Sequence, residues 1–418
     1  MMSDKDKAAS AQADGNDGRA RGPLEGLRVL ALEHFVSGPL GSMMLGDWGA
    51  EVIRIERPGS GDVWRYVNIR QSDGQDLPLS FITRNRNKKG ITLDMKSARG
   101  REIFLELVKK ADVVWENLAP DAMKSLGLDY DTLLAANPAI VYVSVSGFGH
   151  DDVFPSHFQD RPAFDFITQA MGGLMWLPSF GQNPSWLGFP VTDLVPGMMA
   201  TTGMLLALRE RDRTGKGQRV DLSMYDVSLV LNEKNLALQA AVGRTPNSQH
   251  DLQNTNQLGV FQASDGYIAI GVVSDAGWKL LACEMGRAEL ADDPRLASMQ
   301  KRTSALETLL NPVLKPWVKS LTRTEAIDRL LAIGIPAGPL QTAAEVLACP
   351  QLAARNMFVD LPTEYGPVKA VGNPIKLNNE PQPCNPPPKL SEHTEEVLNG
   401  WLGMDAAAIE GLRRDKVI

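Results

Sequence analysis

Leu27-Arg28-Val29-Leu30-Ala31-Leu32, then Gly38-Pro39 with an apolar segment through Leu45, then Glu51-Val52-Ile53-Arg54-Ile55-Glu56 is the stretch that decides the fold. Two short aliphatic runs flank a segment that Gly38-Pro39 opens and Gly49 stops, which reads as strand, helix, strand. This is one βαβ unit and the start of a parallel sheet. The loop that follows, Arg57-Pro58-Gly59-Ser60-Gly61-Asp62, has turn chemistry throughout, so Arg57 falls at the carboxyl end of the second strand.

Two more units follow. Gly90 to Met95 alternates as a strand, Ser97 suits the cap of a helix carrying Ile103, Phe104, Leu107 and Val108 on one face, and Asp112 to Trp115 returns as a strand. Tyr130 to Ala136 is then expected as helix and Ala139 to Val145 as strand, ending at Ser146-Gly147-Phe148-Gly149-His150. Three strand ends thus deliver polar loops to the edge where open α/β sheets hold ligands.

Past Met224 the composition changes. Asp265-Gly266 separates short strands at Gly259 to Gln262 and Tyr267 to Val272, amphipathic helices follow to Ala332, and Gly334 to Pro339 reads as a crossing linker. Pro381 to Pro388 is an extended proline-rich stretch before a last helix from about Ser391. The expected organisation is a tail at 1–22, a large domain at 23–222, a small α+β domain at 223–339, and a return to the large domain at 340–418.

The chain has 418 residues, 43% hydrophobic and 22% charged, which suits two packed domains. The segment from Met1 to Gly22 has no apolar h-region and carries acids, so it is expected to be a disordered tail rather than a targeting peptide. Met198 to Leu208 is read as a short buried helix and no membrane span is expected. Cys283, Cys349 and Cys384 show neither a disulfide framework nor zinc spacing, so no metal is implied and a reducing cytoplasm fits. A net charge of −7 gives no field favouring nucleic acid, and an anionic ligand must be held by local cations.

Several pieces in register resemble the class III coenzyme A transferases, the group of formyl-CoA transferase and carnitine CoA-transferase. They are Leu24 to Val29, Gly38-Pro39, Leu45 to Asp62, Asn85-Arg86-Asn87-Lys88-Lys89, Glu116-Asn117, Arg213 to Gln218, Gly334 to Pro339 and Glu392 to Leu398. The resemblance implies an α/β fold: a Rossmann-like large domain built from both chain ends, a smaller α+β domain, and two interlocked subunits. An ordinary nicotinamide enzyme is disfavoured, since Gly147-Phe148-Gly149 is followed by no third glycine opening a helix.

Carried over by position, the resemblance places coenzyme A contacts at Ser37, Arg57, Leu93 to Lys96, Asn117, Leu118 and Ala119, and Ser146-Gly147-Phe148-Gly149, with Arg57 and Lys96 as the phosphate cations. Where relatives carry an arginine after the Asn117 loop stands Ser125, with Lys124 as the adjacent point charge. Val36 takes the place of a family glutamine. The ligands implied are an acyl-CoA and a carboxylic acid, and the partner is a second copy or a related chain in a dimer or tetramer.

The family resemblance also implies a catalytic aspartate that attacks the acyl carbon, and only a carboxylate forms the resulting anhydride. Alignment between Gly172-Gly173 and Pro184 puts that position at Gln182, with Gly181 and Asn183 as neighbours. The nearest acid upstream is Asp165, which is either a helix cap with Gln169 four residues on or a catalytic acid; Asp193 reads as a cap. The chain therefore reads as the carboxylate-deficient subunit of a heteromeric transferase, in the manner of benzylsuccinate CoA-transferase. The alternatives are an active homodimer or acyl-CoA racemase using Asp165, for which no matching histidine is evident, and a CoA-binding module without chemistry. Met171 to Trp186 is apolar enough to be core or to face an aromatic acyl group. The polar stretch from Pro246 to His250 replaces the glycine run that covers the site in some relatives.

Overall fold

A computed structural model describes residues 22–70, 74, 76–177, 183–243, 257–272, 274–377 and 384–418. Residues 1–21 of the expected tail, Gly181, Gln182, and Pro246 to His250 lie outside them. The chain divides into two compact units, one of 1–174, 186–232 and 356–418 and the other of 175–185 and 233–355.

The first unit is built on six parallel strands: β1 (Arg28–Leu32), β2 (Glu51–Glu56), β3 (Lys88–Thr92), β4 (Val113–Glu116), β5 (Val141–Ser146) and β6 (Arg219–Ser223). Their order across the sheet is β3-β2-β1-β4-β5-β6, so the direction of winding reverses between β1 and β4. The central strands β1 and β4 are near-continuous apolar runs because both faces are covered. Leu30, Ile53, Ile91 and Val114 face one core with Ile103, Phe104 and Leu107 of the helix Ala98–Val108 and with Val397 and Leu398 near the C-terminus. Val29, Val52, Val113 and Val141 face the other with Ala200, Met204 and Ala207.

That second layer contains α1 (Ser37–Asp47) and α5 (Val191–Thr214), with α2 (Ala98–Val108), α3 (Tyr130–Ala136) and α4 (Asp165–Met171) between them in the chain. Close approach of α1 to α5 depends on two glycines: a Cβ on Gly41 would sit 2.6 Å from the Gly197 carbonyl, and one on Gly197 would sit 2.4 Å from the Ser37 carbonyl.

Most expected elements appear near their places, and Ser97 caps α2 by accepting from the Gly100 N–H at 2.9 Å. Four differences have physical reasons. The third strand begins at Lys88, since Lys88 is buried by ion pairing, and this moves Leu93 and Lys96 past its carboxyl end. β6 is a sheet strand that the sequence reading passed over, because its alternating Arg219-Val220-Asp221-Leu222 is short and half polar. Met198 to Leu208 is the middle of a 24-residue helix whose most apolar window is only 39% buried; by length and composition alone it is also long enough to cross a membrane. Finally, Ala337–Pro339 is not linker but a strand on Gly266–Val272.

The second unit holds that three-stranded antiparallel sheet, Gln257–Ala263, Gly266–Val272 and Ala337–Pro339. Helices including Asp275–Glu284, Asn311–Lys319 and Arg323–Ala332 pack on it through Trp278, Leu281, Leu314 and Leu330. A capping box between Thr322 and Glu325 starts the helix Arg323–Ala332.

Candidate active site

The winding reversal between β1 and β4 is where an open sheet leaves a crevice for a ligand. The strands' carboxyl ends bring the expected binding residues to this one edge: Ser37 after β1, Arg57 after β2, Leu93 and Lys96 after β3, Asn117, Leu118 and Lys124 after β4, and Gly147-Phe148-Gly149 after Ser146, the last residue of β5. Arg57, Lys96 and Lys124 are exposed, whereas Leu93 and Ser146 are buried.

Asn117 fastens the crevice. Its amide donates to the His34 carbonyl at 2.9 Å and its oxygen accepts from the His34 N–H at 2.9 Å, closing both backbone groups of the loop after β1. Gly38 makes room for this clamp, because a Cβ there would lie 2.4 Å from the Asn117 oxygen. In the next residue Phe35 takes φ 63°, a left-handed conformation that a bulky side chain rarely adopts. Ser37 then opens α1; its hydroxyl is buried and has no hydrogen-bond partner among the described residues.

A buried charge network that the sequence reading missed sits under the loops after β1 and β2. Glu33 pairs with Arg54 at 3.0 Å and Lys88 at 2.6 Å, while Arg54 also meets Glu56 at 3.3 Å and the Asp62 carboxylate. Arg65 closes on Glu56 at 2.6 Å. Asn85 accepts from both Arg54 and Lys88, and Ser42 donates to Glu33 at 2.6 Å. The signal was present in the alternation Arg54, Glu56 on a strand otherwise aliphatic, yet exposed and buried charge look alike in a sequence.

Burial pushes Glu56 up, but Arg65 and Arg54 outweigh it and bring it to about 2, below its ordinary 4.5. Burial likewise raises Glu33, and Lys88 with Arg54 reverse the sign and hold it below the usual carboxylate range. In this interval the unfolded chain binds more protons than the folded one, so stability is full above 4.5 and is lost as pH falls toward 2. Glu56 alone contributes roughly 3 kcal/mol of that slope. The expected result is a denaturant midpoint that drops between pH 5 and pH 3, with the drop reduced in Glu56→Gln; an identical slope in the variant would contradict this assignment.

On the other side of β5, His150 and Asp221 pair at 2.6 Å and the His150 N–H donates to the same carboxylate at 3.1 Å, which anchors the end of the Ser146–Gly149 loop. Burial lowers the imidazole, but the Asp221 carboxylate prevails and raises it above its ordinary value. Glu116 is pushed up by burial, with the Leu118 N–H opposing, and accepts from Tyr142 at 3.1 Å. Glu116, Lys124, His150 and Arg219 line a polar cavity of about 790 Å³.

Asp165 is the first residue of α4, and the cap position belongs to Phe164, so its carboxylate does not cap its own helix. It reaches α5 instead. One oxygen takes the Thr192 N–H at 2.9 Å and the Thr192 hydroxyl at 2.9 Å; the other takes the Gln169 amide at 2.7 Å and the Trp186 indole at 3.0 Å. An ionised carboxylate offers about four lone-pair sites, and three N–H donors take three of them, while the single Thr192 hydroxyl proton is shared among Asp165 Oδ1, the Asp165 carbonyl and Thr168. Asp193 does not cap α5 as expected: the N-cap is Pro190, with no side-chain bond. Burial pushes Asp193 up to about 7, the Asp165 charge adding to the rise and Arg84 opposing it.

Asp165→Asn keeps the shape but turns an acceptor into a donor facing the Thr192 N–H or the Gln169 amide. Its expected cost is about 2–4 kcal/mol in unfolding free energy, the range for breaking a buried charged hydrogen-bond set. A loss below 0.5 kcal/mol in a urea titration would show that these bonds carry no structural load.

The sequence matches CoA-transferase family III over residues 24–394. It is 37% identical to the acetyl-CoA:oxalate CoA-transferase of Acetobacter aceti, over 90% of this chain and 94% of that protein. It is 31% identical to the succinyl-CoA–L-malate CoA-transferase alpha subunit of Chloroflexus aurantiacus, over 99% of this chain and 97% of that protein. Among solved structures, a CaiB/BaiF family protein from Brucella suis superposes with a TM-score of 0.78 at 32% identity, covering 92% of this chain and all of that one.

Proposed function

The chain belongs to CoA-transferase family III, enzymes that act on acyl-CoA and carboxylate substrates, and we propose that it is the member of a heteromeric transferase that lacks its own catalytic acid. The observation that carries this reading is the state of Asp165: both oxygens are occupied by donors on α4, α5 and Trp186, so the nearest acid upstream of the expected position is a structural tie. The position that the family resemblance gives to the nucleophile holds Gln182, whose amide cannot form an anhydride. A similarity to an alpha subunit is consistent with a second, different chain.

In this reading the CoA thioester lies along the carboxyl edge of the sheet in a Rossmann-like unit, a description supported by the order β3-β2-β1-β4-β5-β6. Arg57 and Lys96 face the phosphates, and Asn117 with the Ser146–Gly149 loop faces the remainder. The partner's carboxylate attacks the thioester carbon; a C–O bond forms, the C–S bond breaks, and the CoA thiolate leaves. The thiolate then attacks the enzyme's own acyl carbon of the anhydride, releasing the first acid and leaving an enzyme thioester. Attack by the second acid and return of the thiolate reverse these two steps, so charge and atoms balance.

Exposed apolar residues on α5 and the helix after it, Leu205, Leu206 and Val230, fit a subunit interface, in keeping with an interlocked pair. The acid pair is dicarboxylic or aromatic, the former matching the acids named for the relatives. The test is CoA exchange by the purified chain alone and after co-expression with candidate partner chains. Turnover confined to the mixed complex is expected. Full exchange by the chain alone would replace this reading with that of a self-sufficient enzyme.

A further inference from the structure

Phe35 is held where a large part of its apolar side chain remains in solvent. It stays 40% exposed, and φ 63° is a left-handed conformation that a bulky residue rarely adopts. The conformation is held from outside, by the two Asn117 bonds to His34 just before it. Phe35 packs the edge of its ring on Phe164, centroids 5.5 Å apart and planes at 87°, and Phe164 is itself 58% exposed. Phe164 is equally fixed, because the next residue, Asp165, is tied to Thr192, Gln169 and Trp186. Phe166 and Ile167 on the same short helix are exposed as well. Two pre-ordered aromatic rings thus stand at the crevice between β1 and β4, and Phe35 is two positions along the chain from Ser37, whose buried hydroxyl has no partner among the described residues.

An apolar wall with one polar group is the composition of a small-molecule pocket. We propose that Phe35 and Phe164 select an aromatic acyl group on the bound thioester, with the Ser37 hydroxyl donating to its carbonyl oxygen. The proposal rests on the CoA-thioester reading given above. An aryl ring suits this wall better than adenine does, because the polar edge of adenine needs several hydrogen-bond partners when buried. Edge-to-face contact is the geometry that two fixed rings offer to a third.

Phe35→Gly tests this cleanly. Glycine accepts a positive φ without strain, so the variant removes the ring while relieving the backbone. Calorimetric titration of CoA, acetyl-CoA and benzoyl-CoA into the full-length chain and the variant gives the readout. The wild-type chain is expected to bind benzoyl-CoA at least 10-fold more tightly than acetyl-CoA. In Phe35→Gly that ratio should fall by about 10-fold, with the melting temperature not lowered, and Phe164→Ala should lower the ratio in the same direction. Equal binding of the two thioesters by the wild-type chain overturns the proposal and leaves the CoA reading intact. An equal loss for free CoA and for both thioesters in Phe35→Gly puts another part of CoA on the ring and also overturns it. Failure of the wild-type chain to bind any of the three overturns the CoA reading itself, and the proposal with it.

Discussion

Gln182→Asp is expected to give the isolated chain CoA-exchange activity at least 100-fold above that of the unaltered chain. The substitution restores a carboxylate at the position that the family resemblance assigns to the nucleophile, and covalent catalysis of this kind has no substitute when the carboxylate is missing. The residues proposed to hold CoA are untouched by it: the exposed cations Arg57 and Lys96 and the loop that Asn117 clamps. Exchange between two carboxylic acids would be followed with labelled acid, and the covalent step by mass spectrometry after hydroxylamine treatment. An adduct on residue 182 is the expected signature. A variant that folds, binds CoA and remains inactive would contradict the assignment of residue 182 as the nucleophile position.

Arg54→Met should lower the unfolding free energy by about 3–5 kcal/mol, the range for removing one partner of a buried ion pair. Arg54 is fully buried and compensates three carboxylates at once, Glu33, Glu56 and Asp62. Without it Lys88 remains with Glu33 and Arg65 with Glu56, but Asp62 loses the one cation that it pairs with among the described residues. The same change should loosen the loops after β1 and β2, which carry Ser37 and Arg57, so CoA affinity falls together with stability. A second substitution, Asp62→Asn, in the Arg54→Met background should recover part of the loss, because it removes the charge left uncompensated. Purely additive effects in that double-mutant cycle would show that the pair is not coupled.

The alternation and turn chemistry around Leu27 to Asp62 were enough to read a parallel α/β sheet, because a βαβ unit leaves its period and its punctuation in the chain itself. The matched motifs were enough to identify the family. What stayed illegible depends on contacts between distant residues. Asp165 looked the same as cap or catalyst until its carboxylate was seen to reach Thr192 and Trp186, more than twenty positions away. Asp193 looked like a cap, but capping depends on where the helix starts, and the helix starts at Val191 with Pro190 before it. β6 was too short and too polar to stand out, and it becomes a strand because the β5 edge supplies its hydrogen bonds.

By itself, then, the sequence determined the fold class, the family and the absence of a carboxylate at residue 182, since each of these is written in residue type and local order. Tertiary structure alone decided that Arg54 is a buried hub, that Asp165 is a tie between two helices, and that Phe35 is held strained and exposed beside Phe164. The physical reason is the same in each case. Charge pairing, carboxylate saturation and backbone strain are properties of what surrounds a residue, and those surroundings are assembled from segments that the sequence keeps far apart.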